Sequence, residues 1–153
     1  MTPAQHPAPR SGPRHLFFLE KAPQGGPQQK EDAASDPATG LQRDSRILCA
    51  ACETPVSSAR HLFASDGQKT ARVFANPRGF LFEVITLTHA ENLLIMGQPC
   101  DEFTWFPGYT WQVCACAQCS NHLGWFFDGI GPAKTPDSFY ALIRSELKEV
   151  PPA

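Results

Sequence analysis

The sequence predicts a mostly β fold with a C-terminal helix, and three patterns support this prediction. The stretch "HLFASDGQKTARVFANPRGFLFEVITL" holds runs of β-branched and aromatic residues, interrupted by two turn signals, Asp66-Gly67 and "NPRG". Two further segments, "NLLIMG" and "GYTWQVCAC", continue the strand-like texture. Near the end of the chain, "TPDSFYALIRSEL" has apolar residues at helical spacing.

The N-terminal region, residues 1–43, is predicted to be a disordered tail rich in Pro, Gly and Gln. It contains seven of the fifteen prolines and the stretch "QGGPQQKEDAASDPATG". Such a segment buries too little apolar surface to offset the entropy of ordering its chain. Its short apolar stretch, residues 16–19, either stays exposed or docks on the domain or on a partner. The composition changes near Asp44, so we place one folded domain at 44–150.

The strands are predicted to begin near Ile47 and to be short, because turn residues recur among them. The helix has its own start signals. Thr135 serves as the N-cap, Pro136 takes the first helical position, and Asp137 favours the positive end of the helix dipole. One helical face then carries four apolar residues, Phe139, Leu142, Ile143 and Leu147.

Composition and charge argue against several classes of function. The net charge is −2, and from residue 44 onward eleven acidic residues face eight basic ones, so binding to nucleic acid or to an anionic membrane is not expected. No segment approaches the roughly 20 apolar residues of a membrane helix. The apolar stretch 16–19 is shorter than the about 7–15 residues of a signal peptide's apolar region. We therefore expect a cytoplasmic protein, in which paired cysteines indicate metal or redox chemistry rather than disulfides.

Two cysteine pairs predict a structural zinc site. "CAAC" runs from Cys49 to Cys52, and "CAQC" runs from Cys116 to Cys119. A two-residue gap lets both thiolates of one tight turn reach an ion at about 2.3 Å, and two such turns complete a tetrahedral Zn²⁺ site. The ion would tie the first strand to a late hairpin, so that its binding contributes to folding. Four thiolates leave no open position for water or substrate, so catalysis by this metal is not expected.

The second cysteine pair is ambiguous, because the run reads "CACAQC". Cys114 could replace Cys116 as a ligand, although the two-residue gap favours Cys116. His122, three residues after Cys119, is either a further ligand or a structural histidine. Cys100 is interpreted as a small buried or edge apolar residue.

The three tryptophans of the chain lie close together in sequence. Trp105 and Trp111 flank "FPGY", whose Pro-Gly turn folds the chain back on itself. Trp125 follows the second cysteine pair, and Phe127 shares its face if the segment is extended. These side chains either fill the core or form an aromatic box. A box could bind a cation through its ring faces or a small flat ring by stacking, and the residues alone do not choose between a methylammonium and a cyclic amide.

Several of these motifs together resemble the cereblon-type CULT domain, the thalidomide-binding domain, in the stand-alone form found in short bacterial proteins. "CAAC", "ANPRGF", "WFPGYTW" and "CAQCSNHLGW" with a following Phe occur in the family's order. The resemblance covers about residues 48–147. It implies a β-tent fold, in which two antiparallel sheets are pinned by a zinc ion on Cys49, Cys52, Cys116 and Cys119.

The resemblance also implies a site for a glutarimide or a related cyclic imide. The three tryptophans would form a cage, and Phe127 would close its wall. The backbone at Phe103 and Trp105 would pair with the imide edge, while a turn at residues 76–77 overhangs the exposed part of the ligand and Phe80 lies near it. The implied ligand-binding residues are Asn76, Pro77, Phe80, Phe103, Thr104, Trp105, Trp111, Trp125 and Phe127.

The sequence departs from the eukaryotic members of this family at three positions. Phe103 and Thr104 stand where those members have a histidine and a serine, and Arg78 replaces another histidine. If Phe103 acts through its backbone, the exchange is tolerated and affects ligand preference. Neither a preceding Lon-like domain nor a ligase-docking segment is evident, so a ubiquitin-ligase partner is not expected.

The leading hypothesis is non-catalytic binding of cyclic imides, with free imides, uracil-like nucleobases and proteins ending in a cyclised Asn or Gln as candidate partners. The alternative is an enzyme, either a methionine-sulfoxide reductase or an imide hydrolase on the same fold. A reductase needs a reactive cysteine near the chain end, but the last cysteine, Cys119, is assigned to zinc. A hydrolase needs a positioned base, for which His89 and His122 are weak candidates. A third hypothesis is a structural zinc module that binds other proteins.

Overall fold

The computed structural model describes residues 41–132 and 134–153, without the side chain of Asp66. The predicted tail, 1–43, therefore lies almost entirely outside the described residues. The strands are β1 Arg46–Cys49, β2 Pro55–Ser58, β3 Ala71–Ala75, β4 Leu81–Leu87, β5 Leu93–Cys100, β6 Tyr109–Cys116, β7 His122–Gly129, β8 Ser138–Ile143 and β9 Leu147–Val150. Within the described residues, single-turn 3-10 helices lie at Ala59–His61, Ser65–Gly67 and Arg144–Glu146.

The strands form two antiparallel sheets, which confirms the predicted mostly β fold. The smaller sheet has the order β2-β1-β9, and the larger has the order β3-β4-β8-β7-β6-β5. In the smaller sheet, β1 pairs with β9 over four residues, from Arg46 opposite Val150 to Cys49 opposite Leu147. The first and last strands of the described domain are thus neighbours, and the first cysteine pair begins at the end of β1.

The predicted helix at 135–147 is wrong, because its middle is a strand. Strand β8 pairs with β4 on one side and with β7 on the other, so it lies at the centre of the larger sheet. Phe139, Ala141 and Ile143 are buried on one face, and Leu142 is buried on the other. Burial of both faces removes the polar–apolar alternation that normally identifies a strand.

Among the described residues, no helix is long and apolar enough to cross a membrane.

Two hydrophobic cores cover the two faces of the larger sheet. An aliphatic core lies between the sheets and includes Ile47 and Val56 from the smaller sheet together with Ile85 and Leu142 from the larger. An aromatic core lies on the opposite face, where it contains all three tryptophans. The loop from residue 101 to residue 108, between β5 and β6, supplies Trp105 and Phe106 to this core. The tryptophans and the cysteine pairs therefore belong to different cores.

Gly124 allows β7 and β8 to approach each other closely just before Trp125. Its φ is +152°, and a Cβ placed there would come within 3.0 Å of backbone atoms of Ala141 and Leu142. Because backbone atoms of a central strand cannot move aside cheaply, Gly124→Ala should lower the free energy of unfolding by about 2–3 kcal/mol. Gly79→Ala is the matched control, since Gly79 also has positive φ, +85°, but faces open space. Urea unfolding of both variants measures the difference, and equal midpoints would contradict this account.

Candidate functional site

The four cysteines of the two C-x-x-C motifs converge at one point between the sheets. The Sγ atoms of Cys49 and Cys119 lie 3.7 Å apart, and those of Cys52 and Cys116 lie 3.6 Å apart. All four sulfur atoms lie within 4.8 Å of one another. A regular tetrahedron with Zn–S bonds of about 2.3 Å has S···S edges of about 3.8 Å. The spacing of the thiols therefore fits a four-thiolate zinc ion.

The two cysteine turns are conformational copies of each other. Each has a left-handed residue directly after its second cysteine, Glu53 at φ 61° and Ser120 at φ 62°. In each turn this residue donates its N–H to the carbonyl of the first cysteine at 2.8 Å. The backbone N–H of the first cysteine donates to the carbonyl of the residue after the left-handed one. These bonds join Cys49 to Thr54 at 2.9 Å and Cys116 to Asn121 at 2.8 Å. The backbone of both turns is thus set by hydrogen bonds to present two sulfurs on one side.

The electrostatics of the first turn differ between its two thiols. The hydroxyl of Thr54 lies 3.1 Å from the Sγ of Cys52, and this hydrogen bond lowers the pKa of Cys52 to about 6. Burial raises the pKa of the Cys49 thiol. The first turn thus favours the thiolate at Cys52, whereas at Cys49 the charge of a bound ion would favour it.

The other cysteines lie outside this cluster. Cys114 is fully buried in β6, and burial raises its pKa to about 12. Cys100 ends β5 opposite Trp111 and packs against the aromatic core, as expected of a small apolar residue.

The ring of His122 packs against Trp125 with centroids 5.0 Å apart, and its Nε2 lies 3.0 Å from the carbonyl of Gly124. His122 therefore packs as a structural histidine and does not belong to the group of four metal-binding sulfurs.

The structure brings the three tryptophans, here called the tryptophan cluster, onto one face of the larger sheet. Trp105 comes from the 101–108 loop, Trp111 from β6 and Trp125 from β7. Their exposed fractions are 3%, 5% and 3%. The rings of Trp105 and Trp125 make an edge-to-face contact, with centroids 4.6 Å apart. The indole N–H of Trp111 donates to the carbonyl of Glu102 at 2.9 Å, which fixes this ring against the same loop.

The turn after β3 is organised by Asn76. Its side-chain oxygen accepts hydrogen bonds from the backbone N–H groups of Arg78 at 3.0 Å and Phe80 at 2.9 Å. The indole N–H of Trp105 donates to the carbonyl of Ala75 at 3.3 Å, so this turn lies beside the tryptophan cluster. Pro77 is exposed at its tip. Phe80 is also largely exposed, at 51%.

Phe82, which the sequence did not single out, contacts the tryptophan cluster. Its ring lies 5.4 Å from that of Trp125 and 6.2 Å from that of Trp105. The signal was present in the sequence, because Phe82 alternates with the buried Val84 along β4. Phe80 precedes the strand, where this alternation does not apply.

Three further predicted site residues surround the tryptophan cluster in different ways. Phe103 is partly buried against the aromatic core and has a left-handed backbone, φ 56°. The hydroxyl of Thr104 accepts from the N–H of Phe106 at 3.3 Å. Phe127 is fully buried and stacks on Phe139 with centroids 5.1 Å apart. Phe127 therefore supports the core behind the tryptophans.

Comparison with known proteins identifies relatives over the folded region. Residues 45–150 match the family model described as Yippee zinc-binding/DNA-binding /Mis18, centromere assembly. Protein cereblon of Danio rerio is 32% identical over 108 residues, which is 70% of this chain and 25% of the relative. Protein cereblon of Gallus gallus is 32% identical over 108 residues, with shares of 70% and 24%. Protein cereblon of Drosophila willistoni is 32% identical over 112 residues, with shares of 71% and 18%.

The chain spans about a quarter or less of the length of these relatives, so the similarity concerns one domain of each. The family description names zinc binding, and the four clustered thiols provide the ligands for it. The matched region includes both cysteine turns and all three tryptophans. The chain belongs to the Yippee–Mis18 family, and its matched region is a cereblon-type CULT domain with a structural zinc site.

Proposed function

We propose that this domain is a non-catalytic binding module that captures small cyclic imides of the glutarimide type at the tryptophan cluster. One observation carries the proposal. Trp105 and Trp125 meet beside a loop in which, within the described part of the chain, the backbone N–H and C=O groups of Phe103 and Trp105 make no hydrogen bond. Aromatic walls next to free backbone donors and acceptors suit a flat apolar ring with one polar edge.

The polar edge of an imide is C(=O)–NH–C(=O), so it needs both a donor and an acceptor from the protein. Backbone N–H and C=O groups at Phe103 and Trp105 supply both. The left-handed conformation of Phe103 supports this assignment, because such a conformation in a bulky residue costs about 1–3 kcal/mol and persists mainly at functional sites. A backbone role also explains why a phenylalanine can stand at this position.

The tryptophan cluster must open to admit a guest. The three indoles are at most 5% exposed, and Trp105 and Trp125 are in direct edge-to-face contact with centroids 4.6 Å apart, so no ring fits between these two as they stand. Trp105 sits on a loop outside the strands, while Trp125 sits inside β7. We infer that Trp105 moves with its loop when an imide binds, and that the environment of both indoles changes.

The remaining predicted residues have supporting roles in this proposal. Asn76 shapes the turn beside Trp105, so that Pro77 and Phe80 border the part of the ligand that stays exposed. Thr104 holds the loop through its hydrogen bond with Phe106. Phe127 supports the wall from the core side. Trp111 forms the third wall, with its indole N–H engaged by Glu102.

An enzymatic role is less well supported. Cys114 is buried with a pKa raised to about 12, so it is not a thiolate at neutral pH and cannot act as a reductase nucleophile. His122 is engaged with Gly124 and Trp125. The family description also includes DNA binding, but a domain with more acidic than basic residues lacks the positive surface that phosphates require.

A fluorescence titration of the zinc-loaded protein with glutarimide tests the proposal. We expect a saturable change in tryptophan emission at micromolar concentrations, with the ligand recovered unchanged. N-methylglutarimide is the matched control, because it lacks the N–H that donates to the backbone, and it should bind at least tenfold more weakly. Consumption of the ligand would indicate an enzyme, and an unchanged spectrum at millimolar glutarimide would refute the proposal.

A further inference from the structure

A cavity lies next to the tryptophan cluster, on the outside of Phe82. This groove, here called the acidic groove, has a volume of about 300 Å³. It opens between the first half of β4, the start of β7 and the 3-10 turn Arg144–Glu146. Its polar lining includes Glu83, Asn121, His122 and Glu146, and its apolar lining includes Leu81, Phe82 and Ile143.

Negatively charged side chains outnumber positively charged ones at the acidic groove. Arg144 pairs with Glu83 at 3.2 Å and also with Glu149 at 3.4 Å, so one guanidinium serves two carboxylates. Glu146 accepts a hydrogen bond from the neutral amide of Asn121 at 2.8 Å. Among the described residues, two carboxylates line the groove, Glu83 and Glu146, and Arg144 pairs with only the first of them. The carboxylate of Glu146 has no cationic partner there, which favours a positively charged guest.

The acidic groove and the tryptophan cluster share a wall. Phe82 lines the groove and contacts Trp125 at 5.4 Å, and His122 lines it and contacts Trp125 at 5.0 Å. Trp125 is thus covered on the groove side by two rings. The groove is thus separated from the tryptophan cluster by Phe82 and His122, and the face of the Phe82 ring favours a cation.

We propose that the acidic groove is a subsite for an alkylammonium substituent of the imide ligand. The inference rests on the proposed function, and it narrows the ligand to a cyclic imide that carries a primary amine on an aliphatic stem. Leu81 and Ile143 pack against the stem, Phe82 contacts it through its ring, and the carboxylates of Glu83 and Glu146 bind the ammonium group.

Three glutarimides that share one linker test the inference: one ends in an amine, one in the acetylated amine and one in a carboxylate. The amine should bind the zinc-loaded protein about three- to tenfold more tightly than the acetylated compound, and the carboxylate should bind most weakly. The preference should disappear in Glu146→Gln, which keeps an acceptor for Asn121. It should persist in Glu91→Gln, which removes the same charge at an exposed position outside the groove.

The outcomes separate this inference from the proposed function. Equal affinity of all three compounds for the wild-type protein would overturn the subsite while leaving imide binding intact. A preference reduced equally by Glu146→Gln and Glu91→Gln would also overturn it, because the effect would then reflect net charge alone. A further compound, lysine joined to 3-aminoglutarimide, shows whether the ligand is a peptide end or a free small imide. If the ligand is a peptide end, this compound should bind more tightly than the amine on the plain linker, because the lysine backbone adds contacts. If the ligand is a free small imide, the two compounds should bind equally.

Discussion

Removal of zinc is expected to unfold the whole domain and not only its cysteine turns. A zinc ion held by the four thiols would join the end of β1 in the smaller sheet to the end of β6 in the larger sheet. Structural zinc sites contribute about 10–16 kcal/mol at neutral pH, which equals or exceeds the whole stability of an ordinary domain, about 5–15 kcal/mol. Cys116→Ser should have the same effect as chelation, because it leaves three thiolates and an incomplete coordination shell.

Circular dichroism and tryptophan emission, with metal content measured on the same sample, check this expectation. The matched control is Cys114→Ala, two residues away in the same strand. Cys114 is buried but lies outside the thiol cluster, so this variant should keep one equivalent of zinc and lose only about 1–2 kcal/mol. A metal-free protein that still unfolds cooperatively, at the midpoint of the zinc-loaded one, would contradict the account.

The zinc site could be predicted from the sequence because its chemistry is local. Each C-x-x-C motif is a single turn, and the ligand spacing within a turn specifies the ion without knowledge of the fold. The left-handed residues that complete the turns, Glu53 and Ser120, gave no such signal, because neither is a glycine. Their conformation is imposed by the hydrogen bonds of the turns and was visible only in the structure.

The error at β8 shows where local pattern fails. "SFYALI" has good helix-start signals upstream and apolar residues at helical spacing. The segment is a strand because β4 and β7 form backbone hydrogen bonds with it on both sides. Tertiary context of that kind overrides propensity. Phe82 was missed for a related reason, since its place beside the tryptophans depends on its position in β4, which begins at Leu81.

Trp105→Leu is expected to weaken glutarimide binding at least tenfold, about 1.4 kcal/mol or more. Trp105 stacks on Phe74 with centroids 4.9 Å apart and meets Trp125 at 4.6 Å, so it supplies one wall of the proposed site. Leucine preserves apolar volume but removes the aromatic face, which is the part that stacks on a flat ring. The unfolding free energy should fall by about 1–3 kcal/mol, leaving the zinc-loaded domain folded.

Phe139→Leu separates lost binding from lost stability, because it makes an aromatic-to-leucine change in the same core. Phe139 is fully buried and contacts Phe106 and Phe127, away from the tryptophan pair. It should cost a similar amount of stability while changing glutarimide affinity less than twofold, as measured by calorimetry. If both variants lost affinity equally, imide binding would depend on core integrity alone, and the tryptophan cluster would not be the site. If only Trp105→Leu lost affinity, the indole itself would be the binding wall, since the two variants differ in little else.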